Sequence, residues 1–142
     1  MTENEISGVI LDAAIEVHRQ LGGPGLIEDM YEESLCHELA LRGLKVRRQI
    51  GFKVRYKGKE LDKRLRIDLI VEDKVIVEVK AVDDYHPIFE AQLLTYLRQT
   101  DKRLGLVINF GERLVKDGIH REVNRLEETS THFQREAEEC HE

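Results

Sequence analysis

Residues 66–80 of this 142-residue chain form a pattern of two short apolar segments joined by a polar turn, which predicts a β-hairpin. The first segment carries Asp68, and the second carries Glu78 and Lys80, two residues apart. Side chains alternate between the two faces of a strand, so Glu78 and Lys80 point the same way while the valines around them point toward a core. The pattern therefore predicts an anion and a cation that project together from a sheet.

The length of the turn decides whether Asp68 joins this pair, because residues directly opposite each other in a hairpin share a face. A two-residue turn at residues 72–73 sets Asp68 opposite Val77, whereas a three-residue connection at residues 72–74 sets it opposite Glu78. We predict the three-residue connection. Two adjacent carboxylates repel each other unless a cation lies between them, and their oxygens suit a hard divalent ion such as Mg²⁺.

The remaining elements follow from apolar periodicity, glycine breaks and one nearly continuous apolar run. Helices are predicted at residues 4–21, 27–42 and 87–99, and further strands at residues 44–50, 52–56 and 104–110, with a break or bulge at Gly51. Residues 114–119 are predicted to add a short edge strand and turn. On the second helix, Leu35, Leu39, Ala40 and Leu41 are predicted to face the core. The chain is thus predicted to form one α/β domain at residues 1–124, followed by an acidic tail at residues 125–142.

Charge is divided unevenly along the chain, although the net charge is −6. Residues 1–41 carry nine acids against one Arg, and residues 42–66 carry eleven Lys or Arg against two acids. The basic segment is typical of a surface that binds a polyanion, and a solvated strand face is the alternative that the residues alone leave open. The acidic segment could dock the basic segment of another copy, which leaves a homodimer or a protein partner open.

Strand alternation arranges the basic residues in stripes. The stripes consist of Lys45, Arg47 and Gln49 on one predicted strand and of Lys53, Arg55 and Lys57 on the next. Stripes on twisted antiparallel strands can follow a phosphate backbone without reading bases. They predict salt-sensitive nucleic-acid binding with little sequence selectivity.

No apolar run approaches the roughly 18 residues of a transmembrane helix, and the polar start lacks the apolar middle of a signal peptide. The sequence therefore predicts a cytoplasmic protein. Cys36 and Cys140 lie far apart in the sequence, so we interpret them as reduced thiols without a chemical role.

Two predicted helices carry polar residues on a shared face. Glu28, Tyr31 and Glu32 are three and four residues apart on the second helix, and Gln92 and Tyr96 are four apart on the third. Taken alone, these patterns favour ordinary roles, namely a carboxylate near the positive end of a helix dipole, a packing tyrosine and a partly exposed pair.

Taken together, the order of elements and the polar residues resemble the PD-(D/E)xK nuclease superfamily. The residues that carry this resemblance are Asp68, Glu78, Lys80, Gln92 and Tyr96. Residues 25–31 further resemble the signature of the small GxxExxY proteins within that superfamily, and the likeness extends over nearly all of residues 5–118. One departure is that Arg66-Ile67-Asp68 stands where the superfamily's name has a proline and an aspartate, so only the aspartate is retained.

The resemblance implies a restriction-endonuclease-like α/β core, in which helices flank a mixed, mainly antiparallel sheet. It implies a metal-dependent nuclease that hydrolyses phosphodiester bonds, with DNA favoured over RNA. The implied ligands of Mg²⁺ or Mn²⁺ are Asp68, Glu78, the backbone carbonyl of Val79 and, directly or through water, Glu28. Lys80 would position or deprotonate the attacking water, and Gln92 and Tyr96 would orient the site or hold a phosphate.

Two alternatives compete with this interpretation. The first is a non-catalytic module that uses the fold and the basic strands to bind nucleic acid or a protein. The second treats Glu78–Lys80 and Asp68–Arg66 as surface ion pairs, each worth only about 0–1 kcal/mol. We favour the nuclease because neither alternative accounts for the coincidence of these charges with Glu28.

Overall fold

The computed structural model describes residues 1–126, and the predicted acidic tail from residue 127 onward lies outside them. The elements in chain order are α1 (Glu3–Gln20), α2 (Glu28–Leu41), β1 (Val46–Tyr56), β2 (Lys59–Val71), β3 (Val75–Lys80), α3 (Ile88–Thr100), β4 (Leu104–Asn109), a 3₁₀ turn (Val115–Gly118) and β5 (Ile119–Val123). The three predicted helices are present, each within a few residues of its predicted bounds.

The five strands form one sheet in the order β1-β2-β3-β4-β5. The β3–β4 pair is parallel, and the other three neighbouring pairs are antiparallel. The parallel pair needs a crossover connection, which α3 provides. The predicted α/β fold, a mixed and mainly antiparallel sheet flanked by helices, is confirmed.

Two apolar cores cover the two faces of this sheet. The first core joins α1 and α2 to a face that includes Val75, Val77 and Val79. The second core joins α3, through Leu93 and Leu97, to the opposite face. No helix within residues 1–126 is long and apolar enough to cross a membrane.

The helices bury the faces that their periodicity predicts, with one exception on α2. A capping box begins α1, because the Glu5 amide donates to the Thr2 hydroxyl at 3.1 Å and the Thr2 amide donates to the Glu5 carboxylate at 2.8 Å. The prediction that Ala40 and Leu41 face the core is wrong, since Leu41 is 68% exposed. The buried stripe of α2 runs instead through Tyr31, Glu32, Leu35 and Leu39.

The β2–β3 connection is the three-residue turn that we predict. Val71 pairs with Val75, and Leu69 pairs with Val77, so Glu72–Lys74 form the turn and Asp68 falls opposite Glu78. Ile76, on the same face of β3 as Glu78, is fully buried in the second core. The face that carries the charges is therefore covered by α3 rather than open to solvent.

The predicted break or bulge at Gly51 is wrong, because β1 continues through Gly51 as one strand and Gly51 pairs regularly with Arg66. The irregular residue is Gln49, whose φ of 57° lies in the left-handed region. Arg48 pairs with Leu69, whose side chain belongs to the first core, whereas Ile50 pairs with Ile67 and both pack in the second core. In both strands, the paired side chains therefore change from one face of the sheet to the other at the step that contains Gln49 and Asp68.

Gly111 provides a test of the packing that joins the end of β4 to the chain after β3. A Cβ at this position would lie 2.3 Å from the carbonyl oxygen of Val82, a backbone atom that cannot rotate away. We expect Gly111→Ala to lower the free energy of unfolding by about 1–3 kcal/mol or more, measured by urea denaturation.

The matched control is Gly8→Ala in the middle of α1, where an added Cβ meets no atom within 4 Å. This change should raise the free energy of unfolding by about 0.5–1 kcal/mol, because alanine has the higher helix propensity. Equal stability of the two variants would contradict the packing described for Gly111.

Candidate active site

A crossed pair of hydrogen bonds holds Asp68 and Glu78 side by side at the end of the β2–β3 ladder. The Asp68 amide donates to Oε2 of Glu78 at 3.0 Å, and the Val79 amide donates to Oδ2 of Asp68 at 2.9 Å. The regular β2–β3 pairing reaches Leu69 and Val77, and beyond it the two carboxylates link the strands. The strand register therefore brings together the two acids that the sequence places ten residues apart.

Burial makes both carboxylates difficult to ionise. Glu78 is 8% exposed, and its burial, followed by the charge of Asp68, raises its pKa to about 8. Burial also raises the pKa of Asp68 to about 6, against the lowering effect of the hydrogen bond from Val79. Within residues 1–126, no Lys or Arg side chain forms an ion pair with either group. The charge of Lys80 lowers the pKa of both groups, but it does not offset the effect of burial.

Glu28 and Lys80 approach this pair from different elements. Glu28 is the first residue of α2; burial raises its pKa, whereas Lys80 and a hydrogen bond from the Ala81 amide lower it. The ammonium of Lys80 lies 4.5 Å from the centre of the Phe89 ring, a cation–π contact with α3. The ion-pair alternative is therefore wrong for Glu78 and Lys80, because Glu78 is buried and Lys80 rests on an aromatic ring.

The two polar residues predicted on α3 have different surroundings. Tyr96 is half-buried, with its ring edge-on to Phe52 at 5.6 Å between centroids. Burial, and then the charges of Glu78 and Asp68, raise the pKa of Tyr96, so its hydroxyl stays protonated near the acids. Gln92, one turn earlier, is exposed and makes no side-chain hydrogen bond within the described part of the chain.

Besides Asp68, Glu78 and Glu28, a fourth acid, Glu32, lies near this site. It is absent from the site residues predicted from the sequence. It is 2% exposed, and it accepts hydrogen bonds from the Arg48 guanidinium at 2.8 Å and from the Gln49 amide. Its charge adds to the raised pKa of both Asp68 and Glu78. The spacing of four residues from Glu28 is the signal that could have identified it.

Tyr31 fixes the glycine-rich loop that precedes Glu28. Its hydroxyl donates to the Gly23 carbonyl at 2.7 Å and accepts from the Leu26 amide at 3.1 Å. Its ring stacks on Phe110 at 4.7 Å between centroids. The tyrosine of the predicted signature is thus a buried support for the start of α2.

Asn109 fixes the chain segment that follows Lys80. This fully buried side chain accepts from the Val82 and Gly111 amides, both at 3.0 Å, and donates to the Val82 carbonyl at 3.1 Å. It therefore ties the end of β4 to the end of β3. Sequence reasoning placed Asn109 only in a core strand and missed this role.

The predicted phosphate-binding cations lie at two ends of β1. Lys45 and Arg47 lie beside the β2–β3 turn, where Arg47 forms an ion pair with Asp73 at 3.1 Å. Lys53, Arg55 and Lys57 lie toward the other end of β1, which pairs with β2 alone.

The acids have the donor chemistry for a hard cation, although they are not arranged around one. Within residues 1–126, no group of three or more His, Cys, Asp or Glu side chains is placed to hold a metal ion. Asp68 and Glu78 each direct one oxygen to a backbone amide. Their remaining oxygens accept no hydrogen bond in the described chain, and carboxylate oxygens of this kind suit a divalent ion with oxygen ligands.

A model of the PD-(D/E)XK nuclease superfamily matches residues 4–122, which run from α1 into β5. The chain therefore belongs to the PD-(D/E)XK nuclease superfamily. Its members generally use divalent metal ions, and family membership supports a nuclease-like fold and a nucleic-acid substrate. Neither the curated proteins nor the solved structures contained a match.

The raised pKa of Glu78 predicts how stability depends on pH without added metal. Because the pKa rises from 4.5 to about 8 on folding, the folded state binds the proton more tightly between these values. The contribution of Glu78 to stability is therefore present at low pH and is lost as pH rises toward 8. In EDTA, Glu78→Gln should match the wild type near pH 4 and exceed its free energy of unfolding by more than about 1 kcal/mol near pH 8.

The exposed carboxylate of Glu33 on α2 supplies the control for this measurement. A Glu33→Gln variant should follow the wild-type profile throughout. If the difference between Glu78→Gln and the wild type does not grow with pH, the burial argument for Glu78 is wrong.

Removing the hydroxyl of Tyr31 tests its support of the glycine loop. Tyr31→Phe keeps the stack on Phe110 and loses two hydrogen bonds, so we expect the free energy of unfolding to fall by about 1–3 kcal/mol in urea denaturation. Tyr56→Phe, at a ring that is 61% exposed, should change stability by less than about 0.5 kcal/mol. Equal effects at the two positions would argue against this role of Tyr31.

Proposed function

We propose that this protein is a metal-dependent nuclease that hydrolyses phosphodiester bonds in DNA, and that it belongs to the GxxExxY group of its superfamily. The observation that carries the proposal is the Asp68–Glu78 pair, in which Glu78 is buried and Asp68 is half-buried, and which forms no ion pair within the described chain although Lys80 is near. Two adjacent carboxylates that repel each other in a largely buried place cost stability. A function that supplies a cation and uses it explains their presence.

The ion would be Mg²⁺ or Mn²⁺, held by Asp68, Glu78, the backbone carbonyl of Val79 and, directly or through water, Glu28. When bound, such an ion neutralises charge on the phosphate and makes a bound water more acidic. Asp68 and Glu78 would hold the ion in their ionised forms, so binding of the ion would have to offset the effect of burial on both carboxylates. Glu32 would not hold the ion, because its carboxylate already accepts hydrogen bonds from Arg48 and Gln49.

Lys80 supplies the positive charge that the chain itself brings to the reaction. An in-line attack on a phosphodiester needs a proton removed from water and compensation for charge that grows on the phosphate oxygens. The Lys80 ammonium is held by the Phe89 ring and not by a carboxylate, so its three protons remain available to the water or to a phosphate oxygen. Its flexible stem allows it to move between these positions.

Tyr96 and Gln92 complete the proposed site from α3. The phenol of Tyr96 is protonated at neutral pH and its raised pKa keeps it so, which means that it can donate a hydrogen bond to a phosphate oxygen. The exposed amide of Gln92 lies one turn away on the same helix face and would hold a neighbouring phosphate. Of the predicted cations, Lys53, Arg55 and Lys57 toward the free end of the β1–β2 hairpin would contact the backbone of the nucleic acid. Lys45 and Arg47 lie instead beside the acidic turn, where Arg47 is already paired with Asp73.

Cleavage assays on linear and circular DNA and on RNA test this proposal, with Mg²⁺, Mn²⁺ or EDTA. We expect cleavage of DNA with metal, none in EDTA, and a loss of at least about 100-fold for both Glu78→Gln and Lys80→Met. Lys74→Met is the matched control, because Lys74 is an exposed lysine in the turn of the same hairpin and its ammonium donates to the Met1 carbonyl. Cleavage that survives in both site variants would refute the mechanism.

One observation favours a second candidate, a nucleic-acid- or protein-binding module without catalysis. No three acids in residues 1–126 are arranged for a metal, and Asp68 and Glu78 are already hydrogen-bonded to the backbone. Binding of nucleic acid with no cleavage under either metal would support this module over the nuclease.

A further inference from the structure

The free end of the β1–β2 hairpin, residues 51–66, forms an arm that extends beyond the rest of the sheet. The pairing of β2 with β3 involves residues 69–71, whereas residues 59–67 of β2 pair with β1 alone. Residues 55–64 are exposed without exception. At about 3.3 Å per residue, the six residues from Gly51 to Tyr56 span roughly 20 Å.

The arm carries a positive charge that its own acids do not neutralise. Residues 51–66 include seven Lys or Arg and two acids. The ion pairs of the described chain include one within the arm, between Arg55 and Glu60 at 3.8 Å on the exposed tip. Most of its cations are therefore available to an anionic ligand.

Three of these cations share one face of the arm at its base. Lys53 lies directly opposite Arg64, and Arg66 follows Arg64 by two residues on the same strand. Like charges directly opposite each other destabilise a strand pair, so the hairpin retains an arrangement that folding alone disfavours. A row of phosphates on this face would relieve the repulsion.

Gly51 holds one of these cations in place. It pairs with Arg66 and carries no side chain, and the Arg64 guanidinium lies over it and donates to its carbonyl at 3.3 Å. A Cβ on Gly51 would lie only 3.0 Å from Nε of Arg64. The arginine is thus laid against the strand and partly ordered before any ligand binds.

The arm is continuous with the candidate active site. Arg66 precedes Asp68 by two residues on the same strand, and Phe52 on the other face packs edge-on against Tyr96. A nucleic acid whose backbone reaches Asp68 therefore has its flanking segment beside the arm. At about 3.4 Å per base pair, 20 Å corresponds to roughly six base pairs.

We propose that the arm is a DNA-holding element that binds the B-form duplex flanking the reactive phosphate, through Lys53, Arg64 and Arg66. The major groove of B-form DNA admits a two-stranded ribbon, whereas the major groove of an RNA duplex is too narrow and deep. Single-strand binders use successive stacked aromatics, and the one exposed aromatic ring in residues 51–66 is Tyr56 at the tip. Duplex DNA fits this surface better than either alternative.

The basic residues of the arm are expected to contribute more to DNA binding than those at the other end of β1. Lys45 and Arg47 lie at the opposite end of β1, next to the acidic turn that contains Glu72 and Asp73, and Arg47 is already paired. They offer a charge-matched control on the same strand pair. The inference rests on the proposed function only for the position of the reactive phosphate, because binding is measured without cleavage.

The experiment measures fluorescence anisotropy of a labelled 20-base-pair DNA duplex in EDTA over a range of NaCl concentrations, where 20 base pairs is about three times the span of the arm. The variants are Lys53→Gln/Arg64→Gln and the control Lys45→Gln/Arg47→Gln, each checked for folding by circular dichroism and urea denaturation. We expect the arm variant to bind about tenfold more weakly and to lose about two units of the salt slope, and the control to change affinity less than about threefold. Single-stranded DNA and duplex RNA should bind the wild type more weakly than duplex DNA.

Equal losses in the two double variants would overturn the proposal, as would tighter binding of single-stranded DNA or duplex RNA. Arg64→Gln alone should weaken binding more than Lys45→Gln alone, because the Arg64 guanidinium lies over Gly51 on the proposed face; equal single-variant effects would argue against a role for Arg64. If the arm variant weakens binding as expected while no metal supports cleavage, the proposed nuclease activity fails and the arm remains. If cleavage occurs but the arm variant binds normally, the arm fails and the nuclease remains.

Discussion

Two hydrogen bonds between β2 and β3 support the whole site. At this point of the strand pair, backbone amides donate to side-chain carboxylates instead of to backbone carbonyls. The Asp68 amide donates to the Glu78 carboxylate, and the Val79 amide donates to the Asp68 carboxylate. The strands can therefore diverge at this point without leaving either amide unpaired. The consequence is electrostatic, since the same bonds hold two acids close together in a buried place, where burial raises the pKa of both.

The neighbouring segments are held by buried polar side chains rather than by apolar packing alone. Tyr31 ties the glycine loop before Glu28, and Asn109 ties the chain after Lys80. Glu32, bound to Arg48, joins α2 to β1 at the point where both strands exchange faces. Each link closes a backbone segment that has no regular partner, so the elements that carry the acids keep fixed relative positions.

Sequence reasoning was accurate where a property is local and failed where it depends on which elements meet. Periodicity identified the three helices. The predicted three-residue length of the Glu72–Lys74 turn correctly placed Asp68 opposite Glu78. It misplaced Leu41, because three consecutive apolar residues on α2 cannot all face one side of a helix. It also expected a break or bulge of β1 at Gly51, whereas the residue with left-handed backbone is Gln49, whose side-chain amide donates to Glu32 on another element.

The sequence by itself determined the α/β order of elements and the adjacency of the two acids, because strand alternation and turn length are properties of neighbouring residues. Only the tertiary structure decided that α3 covers the charged face, that Phe89 holds Lys80, and that Glu32 joins the acids. It also decided that the β1–β2 hairpin extends past β3, beside Asp68. These contacts join residues that are distant in the chain, and no local period encodes which helix packs on which face of a sheet.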